Sequence, residues 1–526
     1  MSDQDNNDPT RRDVLASVGA AGAAVAIDAL ATSAQAQPKR TPHVIIVGAG
    51  LAGLCAAYEL QQKNWTYTIL EADRLHAGGR VRTMKMGQLS WEAGAMRIPE
   101  EHKRALDYVD AFKLKRRPFV MNSAKTFKFA RNTKAINEDD IKRLYNLTAA
   151  EKMKSAFQLW EIGVKNFSAL GGKHGLTQGE QEELRTANKF TLDRLIKYDG
   201  LSLRQLIQTA RLDPTPEDPT GKPLSDEVIE FLLFANGNLA IQQGAATEFL
   251  REENIGVWDK DFFRIEGGTS ELPNAFINRL TKRPKMGCEV VRLEQKRGKV
   301  TAHYRTAAGP GKEEGDFLLC TIPFPVLAGV EADPPFSHDK RRAIVEMNYD
   351  SGTKVAVMTK NRFWEKNSGI YGGSTTTDLM SGAIIYPSDN AKNKDGVEPI
   401  DPAVSDRPGV FLASYCWGQD ARRLGAMPPS QREDTVIRMI SDIHPELRER
   451  GMVIQKTSWA WDTYRWSLGT FAFYLPGQFQ RMHEIVVRPE GLIYFAGEHC
   501  SHSHSWMEGA LESARMAVDA LEKRAG

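Results

Sequence analysis

A glycine-rich turn between an apolar run and a helical pattern constrains the fold more than any other feature of this sequence. Residues 43–47 (HVIIV) are typical of a buried parallel strand, and GAGLAG follows directly at residues 48–53. Residues 54–62 then have helical periodicity, and residues 67–71 (YTILE) predict a second strand that ends at Glu71. Strand, glycines, helix, strand and acid in this order predict a Rossmann-like dinucleotide-binding unit.

Each glycine of the turn has its own physical role. Gly48 permits the tight turn, Gly50 lets the backbone approach a pyrophosphate, and Gly53 lets the helix pack closely on the strand. The partial positive charge at the helix N-terminus then faces the phosphates. Glu71 is placed to accept hydrogen bonds from the adenosine ribose hydroxyls, and its charge would repel a 2′-phosphate.

Length, composition and cysteine usage set the limits of the protein class. A chain of 526 residues predicts about two or three domains. Hydrophobic residues make up 41% and charged residues 26%, which is ordinary for a globular enzyme. The formal net charge of +2 gives no case for a nucleic-acid partner. The five cysteines are scattered and without CxxC spacing, so they do not form a disulfide framework.

The N-terminal segment, residues 1–36, has the pattern of a twin-arginine signal peptide. Arg11 and Arg12 precede an apolar stretch over residues 16–31, and residues 34–36 (AQA) form a small-x-small cleavage site. Asp28 interrupts the stretch, which argues against the alternative of a membrane anchor. We therefore expect a periplasmic or secreted protein that is exported folded and has no stable membrane insertion. Whether cleavage occurs before Gln37 stays open.

A second glycine turn, AGGRVRT at residues 77–83, carries arginines and resembles the turn of the flavin amine oxidase superfamily. The resemblance continues, in the family's order, at residues 267–273 (GGTSELP), 289–293 (EVVRL), 317–323 (FLLCTIP), 494–498 (YFAGE) and 506–514 (WMEGALESA). It implies an FAD cofactor. The residues that it places at the cofactor are Gly48, Gly50, Ala52, Gly53, Glu71, Ala72, Gly79, Arg80, Ala95, Met96, Arg97, Val290, Gly497, Glu498 and Met507.

Two of these positions have a chemical rationale of their own. Glu498 follows a strand and a glycine, where its carboxylate can accept hydrogen bonds from ribityl hydroxyls. Met507 begins a helix whose backbone N–H groups would face the flavin N1–C2=O edge. That edge becomes anionic on reduction, so a helix N-terminus there would raise the flavin potential.

The segment WEAGAMRIP at residues 91–99 resembles the L-amino acid oxidases within the superfamily. The resemblance implies that Arg97 forms a bidentate pair with the α-carboxylate of the substrate, for which a guanidinium is well shaped. The alternative is a structural ion pair of Arg97 with Glu100. Residues 374–379 (STTTDL) and 384–387 (IIYP) extend the resemblance, and Tyr386 falls on the tyrosine that gives the carboxylate a second hydrogen bond. The alternative for Tyr386 is a core tyrosine.

Further candidate catalytic residues follow from the same resemblance. Lys354 lies in the apolar run SGTKVAV, where family members place a buried lysine that a water bridges to flavin N5; the alternative is an exposed lysine on an edge strand. Phe471 and Trp506 would sandwich the amine end of the substrate. Thr470 replaces the cysteine of covalent members, so we expect noncovalent FAD. Whether Trp459, Trp461 and Trp466 shape the pocket or fill the core stays open.

Three histidines close together, His499, His502 and His504, raise the question of a metal site beside Cys500. They lie between a predicted flavin strand and a predicted flavin helix, and oxidases of this family need no metal. We therefore expect no metal, with the histidines lining the entrance or packing locally.

The predicted fold class combines α/β and α+β elements: a Rossmann-like FAD-binding domain, a mixed-sheet substrate domain and a helical insertion. A capping box at Thr148–Glu151 precedes Met153, Phe157 and Trp160 at helical spacing, which favours the insertion. Such an insertion would form a funnel to the active site and a dimer surface. The predicted bounds are 38–98, 263–331 and 478–526 for the FAD-binding domain, 99–135 and 332–477 for the substrate domain, and 136–255 for the helical domain.

These features together predict FAD-dependent oxidative deamination of an L-amino acid, with O₂ as oxidant and a homodimer or higher oligomer as the assembly. Three alternatives stay open: a decarboxylating L-amino acid monooxygenase, an amine oxidase without a carboxylate requirement, and a flavin-binding scaffold without turnover. The sequence does not determine the side-chain preference. Asp420, Asp462 and Glu365 are the acids considered for a basic substrate.

Overall fold

The computed structural model describes residues 41–165, 178–186, 191, 195–212 and 221–526. The predicted signal peptide lies outside these residues. The strands in chain order are β1 His43–Val47, β2 Thr66–Glu71, β3 Thr83–Met86, β4 Leu89–Glu92, β5 Ile98–Pro99, β6 Arg116–Phe119, β7 Lys128–Ala130, β8 Thr133–Ala135, β9 Phe262–Ile265, β10 Lys285–Met286, β11 Glu289–Lys296, β12 Lys299–Thr306, β13 Gly309–Gly315, β14 Phe317–Cys320, β15 Glu331–Asp333, β16 Tyr349–Asp350, β17 Gly352–Thr359, β18 Gly373–Thr377, β19 Ala383–Tyr386, β20 Gly409–Trp417, β21 Val453–Ala460, β22 Phe471–Ala472 and β23 Ile493–Phe495.

The α-helices of the described chain are α1 Leu51–Gln62, α2 Lys103–Ala111, α3 Glu138–Lys142, α4 Ala149–Lys152, α5 Ala156–Trp160, α6 Gln178–Thr186, α7 Leu203–Thr209, α8 Asp226–Ala235, α9 Ala246–Ile255, α10 Glu271–Ile277, α11 Phe324–Leu327, α12 His338–Glu346, α13 Phe363–Ser368, α14 Gly418–Gly425, α15 Pro429–Ile440, α16 Gln478–Val487 and α17 Met507–Ala525. None of the helices in these ranges has the length and apolar character needed to cross a bilayer.

A parallel sheet carries the glycine turn. Its strand order is β10-β2-β1-β14-β23, and its strands come from widely separated parts of the chain. Val44 and Ile46 of β1 pack under α1 and α17, whereas Ile45 and Val47 pack toward the mixed sheet β13-β12-β11-β15, in which only β11 and β15 are parallel. Because successive side chains of a strand point to opposite faces, β1 is buried on both sides, as its β-branched run predicts.

A seven-stranded mixed sheet forms the second layer, in the order β21-β17-β20-β19-β18-β7-β8. Its pairs are antiparallel except for β18 with β7. One face packs on a core that includes Val355, Val357 and Ile384. The opposite face carries Lys354 and Ile385 toward a cavity. The two faces of this sheet therefore separate core residues from candidate site residues.

Residues of the helices α3, α5, α7, α8 and α9 form a separate apolar core. The predicted capping box at Thr148–Glu151 is present, but α4 ends at Lys152 and a second capping box at Ser155 begins α5. The helical spacing of Met153, Phe157 and Trp160 is therefore interrupted, and Met153 lies between the two helices and is 86% exposed. A serine whose side chain accepts a backbone N–H bond stops one helix and starts the next.

A small sheet in the order β5-β9-β6 links the segment after Arg97 to the strand Phe262–Ile265. Residues 263–265 of β9 belong to the predicted FAD-binding domain, and they pair with β5 and β6. The strand β6 belongs to the predicted substrate domain. The predicted domain bounds stay predictions. The mixed helix and sheet architecture itself is confirmed.

Candidate active site

The glycine turn lies at the carboxyl end of β1 and opens one end of a cavity of about 1160 Å³. Gly48 has φ +104°, a conformation that favours glycine. A Cβ on Gly53 would lie 2.1 Å from the Gly48 carbonyl oxygen, so only glycine allows this helix–turn contact. A Cβ on Gly50 would meet nothing within 4 Å. Gly50 therefore leaves free space at the N-terminus of α1, where a phosphate group fits.

Neighbouring backbone completes this end of the cavity. Gly79 has φ +60°, and a Cβ there would approach the Gly50 Cα to 3.2 Å. Ala52, Ala72 and Val290 also line the cavity. The two glycine turns thus lie against each other, as the sequence predicts for a dinucleotide site.

Glu71, at the end of β2, lines the same region. Its Oε2 accepts the Ala49 N–H at 2.6 Å and its Oε1 accepts the Asp73 N–H at 2.8 Å. Burial raises the pKa of Glu71 to about 6, although these two backbone bonds oppose the shift. Both oxygens retain a lone pair for further hydrogen bonds, such as those of two ribose hydroxyls.

Arg80 and Glu498 form a buried ion pair, with Nη1 and Oε1 2.6 Å apart. Glu498 also accepts the Ala472 N–H at 3.0 Å and the Ser505 N–H at 2.9 Å. Burial would raise the pKa of Glu498, but Arg80 and nearby histidines outweigh it and the pKa lies below its usual value. The carboxylate therefore ties three segments together at the cavity wall, and its contact with ribityl hydroxyls stays a prediction.

The helix α17 begins at Met507 beside this ion pair. Its N-cap residue, Trp506, makes no side-chain capping hydrogen bond. Gly497, Met507 and Ala510 all line the cavity. The first N–H groups of α17 are thus available to an electron-rich group in the cavity.

Lys354 lies on β17, between β20 and β21, and its side chain is 2% exposed. This burial excludes the alternative of an exposed lysine on an edge strand. Its Nζ donates to the carbonyl oxygens of Gly94 at 2.6 Å and Glu92 at 3.1 Å. The third N–H points to Met96 Sδ at 3.9 Å, and because a thioether is a weak acceptor, a water or ligand in the cavity can replace this contact. Burial lowers the pKa of Lys354 to about 7.

The segment that accepts these hydrogen bonds continues through Ala95 and Met96 to Arg97, all at the cavity wall. The Nε of Arg97 is buried without a hydrogen-bond partner. Its Cζ lies 5.7 Å, 6.0 Å and 5.7 Å from the ring centroids of Trp258, Phe262 and Trp506.

Within the described ranges no carboxylate lies within 4.0 Å of the Arg97 guanidinium, and the alternative of an ion pair with Glu100 is not observed. Burial lowers the pKa of Arg97, whereas Tyr415 and Glu252 raise it. A guanidinium among aromatic rings without a counterion suits an anionic ligand.

The prediction that Tyr386 binds the substrate carboxylate is wrong. Tyr386 is 1% exposed, and its hydroxyl is engaged by Thr375 Oγ1 at 2.9 Å and His444 Nε2 at 2.7 Å. On the same strand Ile385 lines the cavity, so the next residue points to the opposite face of the sheet. Tyr386 is a core tyrosine.

Phe471 and Trp506, which the sequence analysis places on either side of the amine, both line the cavity. The ring of Phe471 packs edge-on against Trp417, with centroids 6.2 Å apart. The indole of Trp506 donates to Glu252 Oε1 at 2.7 Å. Their sandwiching of an amine stays a prediction. Of the tryptophans left open, Trp461 and Trp466 line the cavity and Trp459 packs in a neighbouring apolar cluster.

Sequence reasoning missed two cavity residues, Tyr415 and Glu252. Tyr415 lies opposite Lys354 in the register of β17 and β20, and the Lys354 Nζ is 4.4 Å from its ring centroid. Alternation along β20 was a signal that could have found Tyr415. Glu252 comes from α9, and no local pattern distinguishes it from its neighbours.

The three histidines pack locally. His502 Nδ1 lies 2.6 Å from Glu512 Oε1, and His504 Nδ1 lies 2.8 Å from Glu248 Oε1. The His499 ring packs 4.5 Å from the ring of Phe324. In the ranges that the structure covers, no group of three His, Cys, Asp or Glu side chains is arranged to hold a metal ion.

The cavity fits a flavin dinucleotide. It runs from the glycine turn to the pair Lys354 and Arg97, and it exceeds the volume of about 300–1,000 Å³ that is typical for one small ligand. Thr470 lines it with a buried Oγ1 that has no hydrogen-bond partner. A polar ligand in the cavity would satisfy this hydroxyl.

Three comparisons with known proteins agree with this geometry. A family model described as flavin containing amine oxidoreductase matches residues 51–521. An L-amino-acid oxidase of Vipera ammodytes ammodytes is 30% identical over 490 residues, covering 90% of this chain and 92% of that protein. An L-amino-acid oxidase of Bothrops pauloensis is 30% identical over 503 residues, covering 92% and 90%.

Solved structures share the fold at lower identity. A putrescine oxidase in complex with putrescine superposes with a TM-score of 0.63 at 15% identity, covering 92% of this chain and 100% of that chain. A cyclohexylamine oxidase from Brevibacterium oxydans superposes with a TM-score of 0.65 at 16% identity, covering 92% and 99%. The resemblance drawn from the sequence motifs is thereby confirmed.

Proposed function

Because this chain belongs to the flavin containing amine oxidoreductase family, we propose that it is an FAD-dependent L-amino acid oxidase. Membership makes the chain an oxidoreductase that uses a flavin to oxidise an amine or amino acid, with oxygen as a partner. The proposed reaction converts an L-amino acid, O₂ and water into a 2-oxo acid, ammonia and H₂O₂. The flavin supplies the hydride acceptor for the substrate Cα–H and returns the electrons to oxygen.

One observation carries the substrate class: the unpaired guanidinium of Arg97 at the cavity wall. An amine without a carboxylate would leave this buried cation unmatched, whereas an α-carboxylate accepts two parallel hydrogen bonds from it. The similarity in sequence to the L-amino-acid oxidases of Vipera ammodytes ammodytes and Bothrops pauloensis supports the same substrate class. With Tyr386 in the core, Arg97 is the carboxylate anchor that this proposal retains.

The other wall residues act on the rest of the substrate. Phe471 and Trp506 bound the space for the amine end. The substrate must react as the neutral amine, whose lone pair drives hydride loss, so no side-chain base is required. Lys354 positions a water with its third N–H and, when protonated, stabilises negative charge that develops on oxygen.

Anaerobic reduction and product analysis test this proposal. Each of the twenty L-amino acids is mixed with the holoenzyme without oxygen, and bleaching of the flavin absorbance identifies substrates. After aerobic turnover, a 2-oxo acid with stoichiometric H₂O₂ supports the oxidase. An amide with one fewer carbon would instead establish the decarboxylating monooxygenase. Bleaching by carboxylate-free amines alone would establish a simple amine oxidase, and no bleaching at all would leave a flavin-binding scaffold.

We also propose that the flavin is FAD and is held noncovalently. Glu71 and the two glycine turns suit an adenosine diphosphate moiety, and Thr470 offers a hydroxyl where covalent members have a cysteine. Acid precipitation of the protein should therefore release the yellow cofactor into the supernatant, where mass spectrometry identifies it. Flavin that stays with the precipitate contradicts noncovalent binding.

Export and assembly are two further proposals. The twin-arginine pattern of residues 1–36 supports export of the folded protein to the periplasm or medium. Cell fractionation of the wild type and of a variant with Arg11 and Arg12 both replaced by Lys measures this, and equal export of the two contradicts it.

The helical domain supports a homodimer or higher oligomer, and a monomeric mass in light scattering contradicts it.

A further inference from the structure

A partly buried carboxylate faces the cavity from helix α9. Glu252 of α9 lies at the cavity wall. Its Oε1 accepts the indole N–H of Trp506 at 2.7 Å, and its Oε2 accepts the indole N–H of Trp258 at 2.9 Å. Each carboxylate oxygen is thus held in place by one donor and keeps a lone pair for another.

Among the described residues, this carboxylate has no cationic partner at ion-pair distance. In the described parts of the chain no Lys, Arg or His nitrogen lies within 4.0 Å of Glu252. Burial raises the pKa of Glu252 to about 7, and Glu248 adds to the shift while the two indoles and Arg97 oppose it. A partly desolvated carboxylate without an ion-pair partner is unfavourable, so a cation brought by a ligand would be bound favourably here.

Glu252 lies near Arg97, with two indole rings between them. Lys354 Nζ donates to the Glu92 and Gly94 carbonyl oxygens of the segment that leads to Arg97, and Glu252 raises the pKa of Arg97. The rings of Trp258 and Trp506 connect Arg97 to Glu252, since each lies 5.7 Å from the Arg97 Cζ and donates to Glu252. A substrate whose carboxylate binds Arg97 therefore lies in the part of the cavity that Glu252 also lines.

We propose that Glu252 binds the cationic side chain of a basic L-amino acid, such as lysine, ornithine or arginine. This inference rests on the proposed function for the placement of the α-carboxylate on Arg97. The faces of Trp258 and Trp506 provide a path that a cationic group tolerates well. Glu252 is therefore the specificity-determining residue of the cavity.

The acids that sequence reasoning considered for this role are less suitable. Asp420 lines the cavity but forms an ion pair with Arg423 at 3.0 Å. Glu365 is paired with Arg362 at 2.9 Å inside the substrate-domain core. Asp462 is absent from the cavity wall that the structure describes. Only Glu252 of these four combines access to the cavity with a carboxylate that lacks a cationic partner.

Steady-state kinetics with a matched substrate pair test the proposal. L-lysine and L-norleucine differ at the end of the side chain, where one carries an ammonium and the other does not. The wild type should prefer L-lysine in kcat/KM. Glu252→Gln should reduce the L-lysine to L-norleucine ratio by about tenfold to a hundredfold, which corresponds to one hydrogen bond to a charged group. Glu253→Gln, at a neighbouring acid that also lines the cavity, should change the ratio less than threefold.

A binding measurement separates this inference from the proposed function. The compound 6-aminohexanoate has the carboxylate and terminal ammonium of L-lysine but no α-amine, so it cannot undergo oxidation at Cα. Calorimetry on the holoenzyme should show tighter binding of 6-aminohexanoate than of hexanoate, and Glu252→Gln should remove the difference. That result supports the cation site even if no amino acid is oxidised.

Three outcomes would overturn the cation site. These are a wild type that prefers L-norleucine, an equal loss of kcat/KM for both substrates in Glu252→Gln, and equal affinities of the wild type for 6-aminohexanoate and hexanoate. An equal loss would assign Glu252 to the α-ammonium common to all substrates. If Glu252→Gln does not fold, Glu252→Asp keeps the charge and should retain the L-lysine preference, whereas loss of the preference in that variant also counts against the proposal.

Discussion

Replacing Arg97 by methionine tests the carboxylate anchor most directly. Methionine keeps much of the side-chain length but removes the guanidinium and its donors. The two hydrogen bonds of a bidentate carboxylate pair contribute about 1.5–3 kcal/mol each, because the partner is charged. Their loss, about 3–6 kcal/mol in total, lowers kcat/KM for an L-amino acid by about 10²- to 10⁴-fold.

The environment of Arg97 makes a second expectation possible. Its Nε has no hydrogen-bond partner, and three aromatic rings surround the guanidinium. Removing an unpaired buried cation breaks no ion pair, so the thermal midpoint of Arg97→Met should equal or exceed that of the wild type. Arg97→Lys keeps the charge but not the planar fork, and its kcat/KM should lie between those of the wild type and Arg97→Met.

The assay compares an L-amino acid chosen from the anaerobic bleaching screen with the amine that lacks only its carboxylate. Arg97→Met should lose activity toward the amino acid and lose none toward the amine. Flavin content of each variant controls for loss of cofactor. A loss of less than threefold toward the amino acid, or an equal loss toward both compounds, would refute the assignment of Arg97 as the carboxylate anchor.

Three further predictions concern other positions. Tyr386→Phe should change KM less than threefold but lower the free energy of unfolding by about 1–3 kcal/mol, since His444 loses its buried partner. A tenfold rise in KM would show instead that Tyr386 contacts the substrate. FAD affinity, followed by fluorescence of released cofactor, should fall as the pH drops through about 6, because protonated Glu71 accepts fewer hydrogen bonds. Glu71→Gln should bind FAD weakly with no such pH dependence, and a wild-type pH profile in that variant would contradict this role of Glu71. The rate constant for reaction of the reduced holoenzyme with O₂ should fall as the pH rises through about 7, where Lys354 loses its proton. In stopped flow, Lys354→Met should react about tenfold more slowly and without pH dependence, and a rate equal to that of the wild type would exclude a role of Lys354 in the oxygen reaction.

The parts of the fold that depend on residues close together in the sequence could be predicted from the sequence. The strand at residues 43–47, the turn through Gly48 and the helix after it were predicted, because backbone strain and side-chain period are local properties. The family and the fold class followed from several such segments in order. The break between α4 and α5 was missed, although Ser155 carries the capping signal.

The sequence by itself predicted where a dinucleotide would bind and proposed Arg97 and Lys354 for the chemistry. Only the tertiary structure showed that both residues line one cavity. The tertiary structure alone decided that Tyr386 points into the core, because a shift of one residue along a strand reverses the face of the sheet. It also decided that Glu252 of α9 faces that cavity, because the fold brings this acid toward Arg97 from far along the chain. Contacts between distant segments leave no local pattern, and the geometry that sets substrate preference consists of such contacts.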